Sequence, residues 1–356
     1  MKVLMVGVDQ KVVGGMLTVS ENYLKSKRFR TQTNLKYIST ATRGSIPIKL
    51  LKFAGAMIRI IGLILTDKTD IVHVHMAERG SVFRKGIVIV IAKALGAKTV
   101  IHMHAGPIEE WYSRQRLPVR TLTAWIFCQA DRMLVLGKNW VPFMERVMGE
   151  KNRKKVLVLH NAVHTPSENL YNNEGKNLLF YGMLTKQKGI EDLLDAFSNI
   201  LDEIPEDICL MLYGDDVEGN VRERIHARSL ETRVKYCGWL EKGEREKCFS
   251  ETILHVLPSY SEGLPMAILE TMSYGIPNVS TEVGSISEVV EDSKNGRLIQ
   301  PGDVSKLSLV MKEMILCPET RKEYSDNAFM KIRNEFSFPV HLRHLISIYE
   351  DLLKAE

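Results

Sequence analysis

Short apolar runs alternate with helix-forming stretches along the whole chain, and few folds accommodate that pattern. "KVLMVGV" (Lys2–Val8), "DIVHVH" (Asp70–His75), "TVIHMH" (Thr99–His104), "RMLVL" (Arg132–Leu136) and "VLVL" (Val156–Leu159) are β-rich. Continuous apolar runs of this kind suit strands buried on both faces. Helical stretches between them, such as 82–95 and 118–129, turn the series into βα units and imply a parallel sheet covered on both sides. Residues 165–176, "TPSENLYNNEGK", are rich in Pro, Ser, Asn and Gly and read as a linker. The alternation then resumes with "NLLFY" (Asn177–Tyr181), "ICLMLYG" (Ile208–Gly214), "VKYCGWL" (Val234–Leu240) and "ILHVLPS" (Ile253–Ser259). The expected fold is α/β, with two tandem doubly wound Rossmann-like domains at 1–165 and 175–335. An amphipathic terminal helix at 340–356 is expected to join the first. Ligands of such sheets bind beyond the carboxyl ends of the strands, so the site is expected in a cleft between the two domains.

Charge divides the chain in the same place. Residues 1–165 hold 27 Lys and Arg against 10 Asp and Glu, whereas the remainder holds 21 against 33. A basic half invites nucleic acid, an anionic membrane surface or a phosphate-bearing substrate. The five cysteines (Cys128, Cys209, Cys237, Cys248, Cys317) are scattered without a CxxC pair, which argues for a reducing compartment and against structural zinc. No signal-peptide pattern is read at the start. The most membrane-like stretch, Phe53–Leu65, has 13 residues and is interrupted by Arg59, against the roughly 20 apolar residues of a spanning helix.

The stretch "PSYSEGLPMAILETMSYGIP", Pro258–Pro277, carries the chemistry. Pro265 suits the first position of a helix, and Gly275 and Pro277 suit its end. Backbone N–H groups around Gly263, Leu264, Pro265 and Met266 would then lie at a positive helix end, where phosphate binds. Gly263 lets backbone approach closely. Glu262, before that point, and Glu270, about a turn inside, are placed to accept hydrogen bonds from hydroxyls on either side of a diphosphate. A nucleotide sugar has that layout. A capped surface helix with two solvated glutamates fits the spacing as well.

Ser261–Asp303, "SEGLPMAILETMSYGIPNVSTEVGSISEVVEDSKNGRLIQPGD", strongly resembles the signature of glycosyltransferase family 4, retaining and metal-independent enzymes of the GT-B fold. The resemblance implies a nucleotide-sugar donor, with uridine as the expected base, and paired glutamates at Glu262 and Glu270. "VGG" after the first strand resembles the family's glycine loop, which brings Gly14 and Gly15 to the donor. "YGMLTKQKGIEDLLDAF" (Tyr181–Phe197) resembles the segment that supplies an Arg and a Lys to the phosphates. Lys188 fits the lysine, while Met183 stands where the arginine is usual and Lys186 is the nearby substitute. "HMHAG" places His104 where the family has a histidine near the transferred sugar, and "HVH" similarly ends its strand with His75 at the tip.

These residues imply a catalytic set of Glu262, His104 and Lys188. The acceptor is expected to be lipid-linked or a saccharide, met by His75 and, through its phosphate, by Arg84 and Lys85. No metal or other cofactor is assigned: the two histidine pairs have no carboxylate or cysteine at ligand spacing. Apart from the resemblance, each reads as a hydrogen-bonded core histidine. Basic clusters at Lys49, Lys52 and Arg59, at Arg114, Arg116 and Arg120, and at 151–155 imply peripheral contact with the anionic inner face of a bacterial membrane, from the cytoplasm. Nucleic acid is not expected, because binding of single strands needs aromatic platforms interleaved with the charge. A nicotinamide oxidoreductase would need GxGxxG, which is absent after the first strand. A sugar-nucleotide epimerase of the same two-domain architecture is the remaining alternative.

Overall fold

The computed structural model describes residues 1–9, 15–42, 44–104, 106–241 and 243–354. It forms two compact units, Met1–Asn161 with Phe338–Glu356, and Ala162–Ser337. The first unit is built on β1 (Val3–Gly7), β2 (Lys36–Ser39), β3 (Ile71–Met76), β4 (Lys98–Met103), β5 (Arg132–Val135) and β6 (Val156–Val158), in the order β2-β1-β3-β4-β5-β6. The second is built on β7 (Asn177–Tyr181), β8 (Cys209–Tyr213), β9 (Val234–Gly238), β10 (Thr252–Leu257), β11 (Asn278–Thr281) and β12 (Gly296–Ile299), in the order β12-β11-β10-β7-β8-β9. Every ladder in both sheets is parallel.

Residues 165–176 are no linker. They pack on the second unit: Tyr171 donates to the Ile253 carbonyl at 2.9 Å, and Asn173 Nδ2 to the Pro318 carbonyl at 3.0 Å. Polar composition is shared by linkers and by surface segments whose amides tie down helix ends, which is why the sequence misleads here.

The two faces of the first sheet differ in chemistry. Val72, Val74, Met76, Ile101 and Met103 point into an apolar core. The helices Ile46–Asp67, Gly80–Ala94, Leu117–Gln129 and Val141–Met148 contribute to it, the second packed against the first and third. His73, His75, His102 and His104 alternate with those residues along β3 and the end of β4, so they occupy the opposite face. Their rings pack against one another at a tilt, with His102 and His104 centroids 4.1 Å apart and those of His73 and His75 4.8 Å apart. Tyr23, from the helix Gly15–Lys25, and Tyr349, from the helix Phe338–Lys354, close over them; Tyr349 hydroxyl meets His73 Nδ1 at 2.6 Å.

In the second unit the chain leaves β7 in one direction for β8 and returns on the other side as β10. The adjoining ends of β7 and β10 are therefore the topological switch point, where ligands of open α/β sheets bind. The loops that follow these two strands are stitched together. Tyr260 N–H donates to the Gln187 carbonyl at 2.9 Å, and its hydroxyl to Asp192 at 2.7 Å. Gly189 has φ +74°, and a Cβ there would lie 2.1 Å from the Pro258 carbonyl oxygen.

Two expectations follow. Gly189→Ala adds left-handed strain of about 1–2 kcal/mol to a backbone clash, so thermal unfolding of the second unit moves to lower temperature, and separation of the two loops weakens any ligand bound there. In the first unit, burial pushes His73 and His104 down to about 3 and holds His75 and His102 well below the ordinary histidine range, with neighbouring histidines and Lys85 adding to the effect. The unfolded chain takes up protons near pH 6.5 that the folded chain refuses, so stability is full above that pH and falls as pH drops from about 6.5 towards about 3, each histidine contributing about 1.4 kcal/mol per pH unit within its window. Denaturant titrations over that range check the slope, which His102→Gln reduces by about one proton.

Candidate functional site

At the switch point, the turn after β7 carries Lys188 and the turn after β10 carries Glu262. The structure brings them together: Lys188 Nζ donates to Glu262 Oε1 at 2.5 Å, and Ser259 Oγ donates to the same oxygen at 2.8 Å. Glu262 is 8% exposed. A carboxylate so deep needs that cation and that hydroxyl, since an unpaired buried charge costs several kcal/mol. Lys186, in the same single turn Lys186–Lys188, is exposed.

The helix Met266–Ser273 starts directly after this loop, one residue later than the glycine–proline pattern predicts: Pro265 lies just outside it in an extended conformation and is not its first residue. The first N–H groups of any helix have no intrahelical acceptor and face outward as a partial positive charge. Gly263 and Leu264 are buried, so they offer backbone only; the Gly263 carbonyl accepts from Ser285 N–H at 2.8 Å. Glu270, a turn further on, accepts from Arg245 Nη1 at 3.0 Å, and Arg245 also donates to the Tyr181 hydroxyl at the end of β7. Met183 is 48% exposed beside these groups in sequence.

Ser259 and Arg245 are absent from the expected set. Ser259 sits three residues before Glu262, where a hydroxyl able to reach back is readable. Arg245 lies in the charged run "EKGEREK", which carries no such signal.

Expected residues of the first unit fare differently. Gly14 lies outside the described residues, and Gly15 opens the helix Gly15–Lys25. His75 and Lys85 are both fully buried. His75 Nδ1 meets His104 Nε2 at 2.8 Å, and Lys85 Nζ donates to the His75 carbonyl. Neither side chain reaches an acceptor, which corrects their assignment: an X-Arg-Lys pair on a helix points its members about 100° apart, and the lysine here turns towards the sheet. Arg84, half-buried, and His104, half-buried, keep their place as candidates.

The histidines are not ordinary hydrogen-bonded core residues either. His73 Nε2, His75 Nε2 and both ring nitrogens of His102 are buried without a partner, and one ring nitrogen from each of the three lies within 4.8 Å of the other two.

Residues 165–331 match the family described as glycosyl transferases group 1. An uncharacterized glycosyltransferase of Methanocaldococcus jannaschii is 25% identical over 367 residues, covering 99% of both chains. The amylovoran biosynthesis glycosyltransferase AmsK of Erwinia amylovora is 26% identical over 246 residues, covering 64% of this chain and 58% of its own. Among solved structures, Anabaena HepE in complex with UDP superposes with a TM-score of 0.77 at 16% identity, covering 99% of this chain and 100% of HepE. Two parallel six-stranded sheets in this arrangement are the GT-B fold. The segment that bears Lys188, Glu262 and Glu270 matches the glycosyl transferases group 1 family, and the chain has the GT-B fold and is similar to a glycosyltransferase over its whole length.

Proposed function

We propose that the protein is a retaining hexosyltransferase of the family 4 type. It transfers a sugar from a uridine-diphosphate sugar to a lipid-linked or saccharide acceptor in bacterial surface polysaccharide synthesis. The Lys188–Glu262 pair at the switch point of the second sheet carries the reading, because it joins a phosphate-neutralising cation to a hydroxyl-accepting carboxylate beside a helix start. HepE has been solved with UDP and with UDP-glucose, and AmsK belongs to amylovoran biosynthesis, which supports the donor and the pathway class.

In this reading Lys188, Lys186 and the amides at the start of Met266–Ser273 hold the diphosphate and stabilise the charge that grows on it as the sugar leaves. Glu262 orients sugar hydroxyls and Glu270, steadied by Arg245, the ribose. The bond from the anomeric carbon to the phosphate oxygen breaks as the bond to the acceptor oxygen forms on the same face, and the leaving phosphate takes the acceptor's proton. The residues assigned to this step need no metal. His104 lies on the transferred sugar and Arg84 on the acceptor phosphate.

The acceptor's lipid places a membrane against the first unit. Along the helix Ile46–Asp67, Ala56, Met57, Ile60 and Ile64 are buried, while Leu51, Ile58 and Leu65 form a separate outward stripe, each more than 60% exposed. Lys52 and Arg59 flank it, and Leu117, Leu122 and Trp125 are exposed two helices away in the same layer. No helix among the described residues is long and apolar enough to cross a membrane; this stripe would lie in the interface. Basic residues there contribute about 1 kcal/mol each against an anionic leaflet.

Thermal unfolding should shift upward with UDP, by a stability gain of about 2.7 kcal/mol at a hundredfold excess over Kd. Glu262→Gln should lower turnover about 100-fold or more while the protein stays folded, and proton NMR of the product should give the donor's anomeric configuration. Release of a rearranged sugar without any acceptor would mark the epimerase instead. Sedimentation with phosphatidylglycerol vesicles should exceed that with phosphatidylcholine, and Ile58→Glu with Leu65→Glu should reduce it at least tenfold without lowering the melting temperature; equal partition of variant and parent overturns the membrane contact.

A further inference from the structure

We propose that His73, His75 and His102 bind one transition-metal ion of zinc-like character, on the face of the first sheet that Tyr23 and Tyr349 cover. The site is independent of the donor chemistry and is built entirely within the first unit.

The unpaired nitrogens point to it. Buried polar groups are almost always satisfied, yet four ring nitrogens among these three fully buried histidines have no partner. The nitrogens that do have partners are the outer ones: His73 Nδ1 against the Tyr349 hydroxyl at 2.6 Å and His75 Nδ1 against His104 Nε2 at 2.8 Å. A metal-ligating histidine uses one nitrogen for the ion and gives the other N–H to a fixed acceptor, which sets its tautomer. With the Nδ1 protons placed on Tyr349 and His104, the Nε2 lone pairs of His73 and His75 are left for an ion, and His102 supplies the third ligand.

The spacing suits a closed shell after a small adjustment. Ligand atoms within 4.8 Å of one another need to approach about 3.4 Å for tetrahedral bonds of about 2.05 Å, a change that rotation about the terminal side-chain torsion provides. Three imidazoles select for zinc, copper, nickel or cobalt over magnesium or calcium, which want oxygen. A fourth position remains for water, whose proton such an ion sheds near neutral pH.

The test uses the full chain, stripped with chelator and titrated with Zn²⁺ and with Co²⁺. The expected result is one equivalent per chain, a visible Co²⁺ spectrum of a tetrahedral nitrogen site, and a rise in melting temperature that chelator reverses. His102→Gln and, separately, His73→Gln should each lower the affinity at least tenfold, the second serving if the first does not fold. Absence of a bound equivalent overturns the proposal, as water would then satisfy the cluster; so does binding that both variants retain, which would place the ion on surface histidines or cysteines.

Discussion

The tie between the loops that follow β7 and β10 is the constraint on which the candidate site depends. Parallel strands do not by themselves bring side chains of successive loops into contact; each loop has its own exit direction. Here a backbone hydrogen bond from Tyr260 to Gln187, and a glycine at 189 that lets the Pro258 carbonyl lie against it, remove that freedom. Lys188 and Glu262 then meet at 2.5 Å although 74 residues separate them. The cost of burying the carboxylate is met locally, by one ammonium and one hydroxyl, so the site is formed before any ligand arrives.

The first unit shows the complementary arrangement, polar chemistry enclosed rather than presented. Its sheet separates two environments: an apolar layer under a set of helices, whose outer surface is itself apolar and basic, and a histidine-lined face closed by tyrosines. Neutral imidazoles can be packed this way without a counter-charge. That is why burial and mutual repulsion hold them unprotonated, and why no carboxylate is needed among them. The same features that make the cluster sensitive to acid make it a set of free lone pairs at neutral pH.

Much of this architecture is legible in the sequence, and the gaps have identifiable causes. β1, β3, β7 and β10 are runs of fully or almost fully buried residues, so an apolar stretch bounded by polar turns marks them. β2 ("KYIS") and β12 ("GRLI") are half-exposed edge strands, and β11 ("NVST") is buried but polar; each has four residues, too few and too mixed for a periodic signal. At the site, Glu262 and Lys188 stand out because motif spacing reports a turn and a helix start. Arg245 does not, because its partner Glu270 is distant in sequence and a charged run gives no hint of direction. His75 and Lys85 show the opposite failure: the end of a strand was legible, but which side chain tucks beneath it depends on the tertiary packing of the helix Gly80–Ala94.

In the proposed reading, ligand entry at the second unit adds to the existing pair and need not break it. Lys188 has three N–H donors and spends one on Glu262, so it can keep that bond and still offer donors to a diphosphate. Glu262 is more constrained: Oε1 already accepts from both Lys188 and Ser259, which leaves its second oxygen as the natural acceptor for a sugar hydroxyl. The pair is thus a coupled element. In the proposed reading, phosphate and sugar meet the two halves of this pair, the spare N–H groups of the lysine and the second oxygen of the carboxylate. In the proposed reading, a diphosphate that carries a sugar engages both halves of the pair at once, while a bare phosphate engages the lysine alone, so the geometry that assembles the site would favour the intact donor over its fragments.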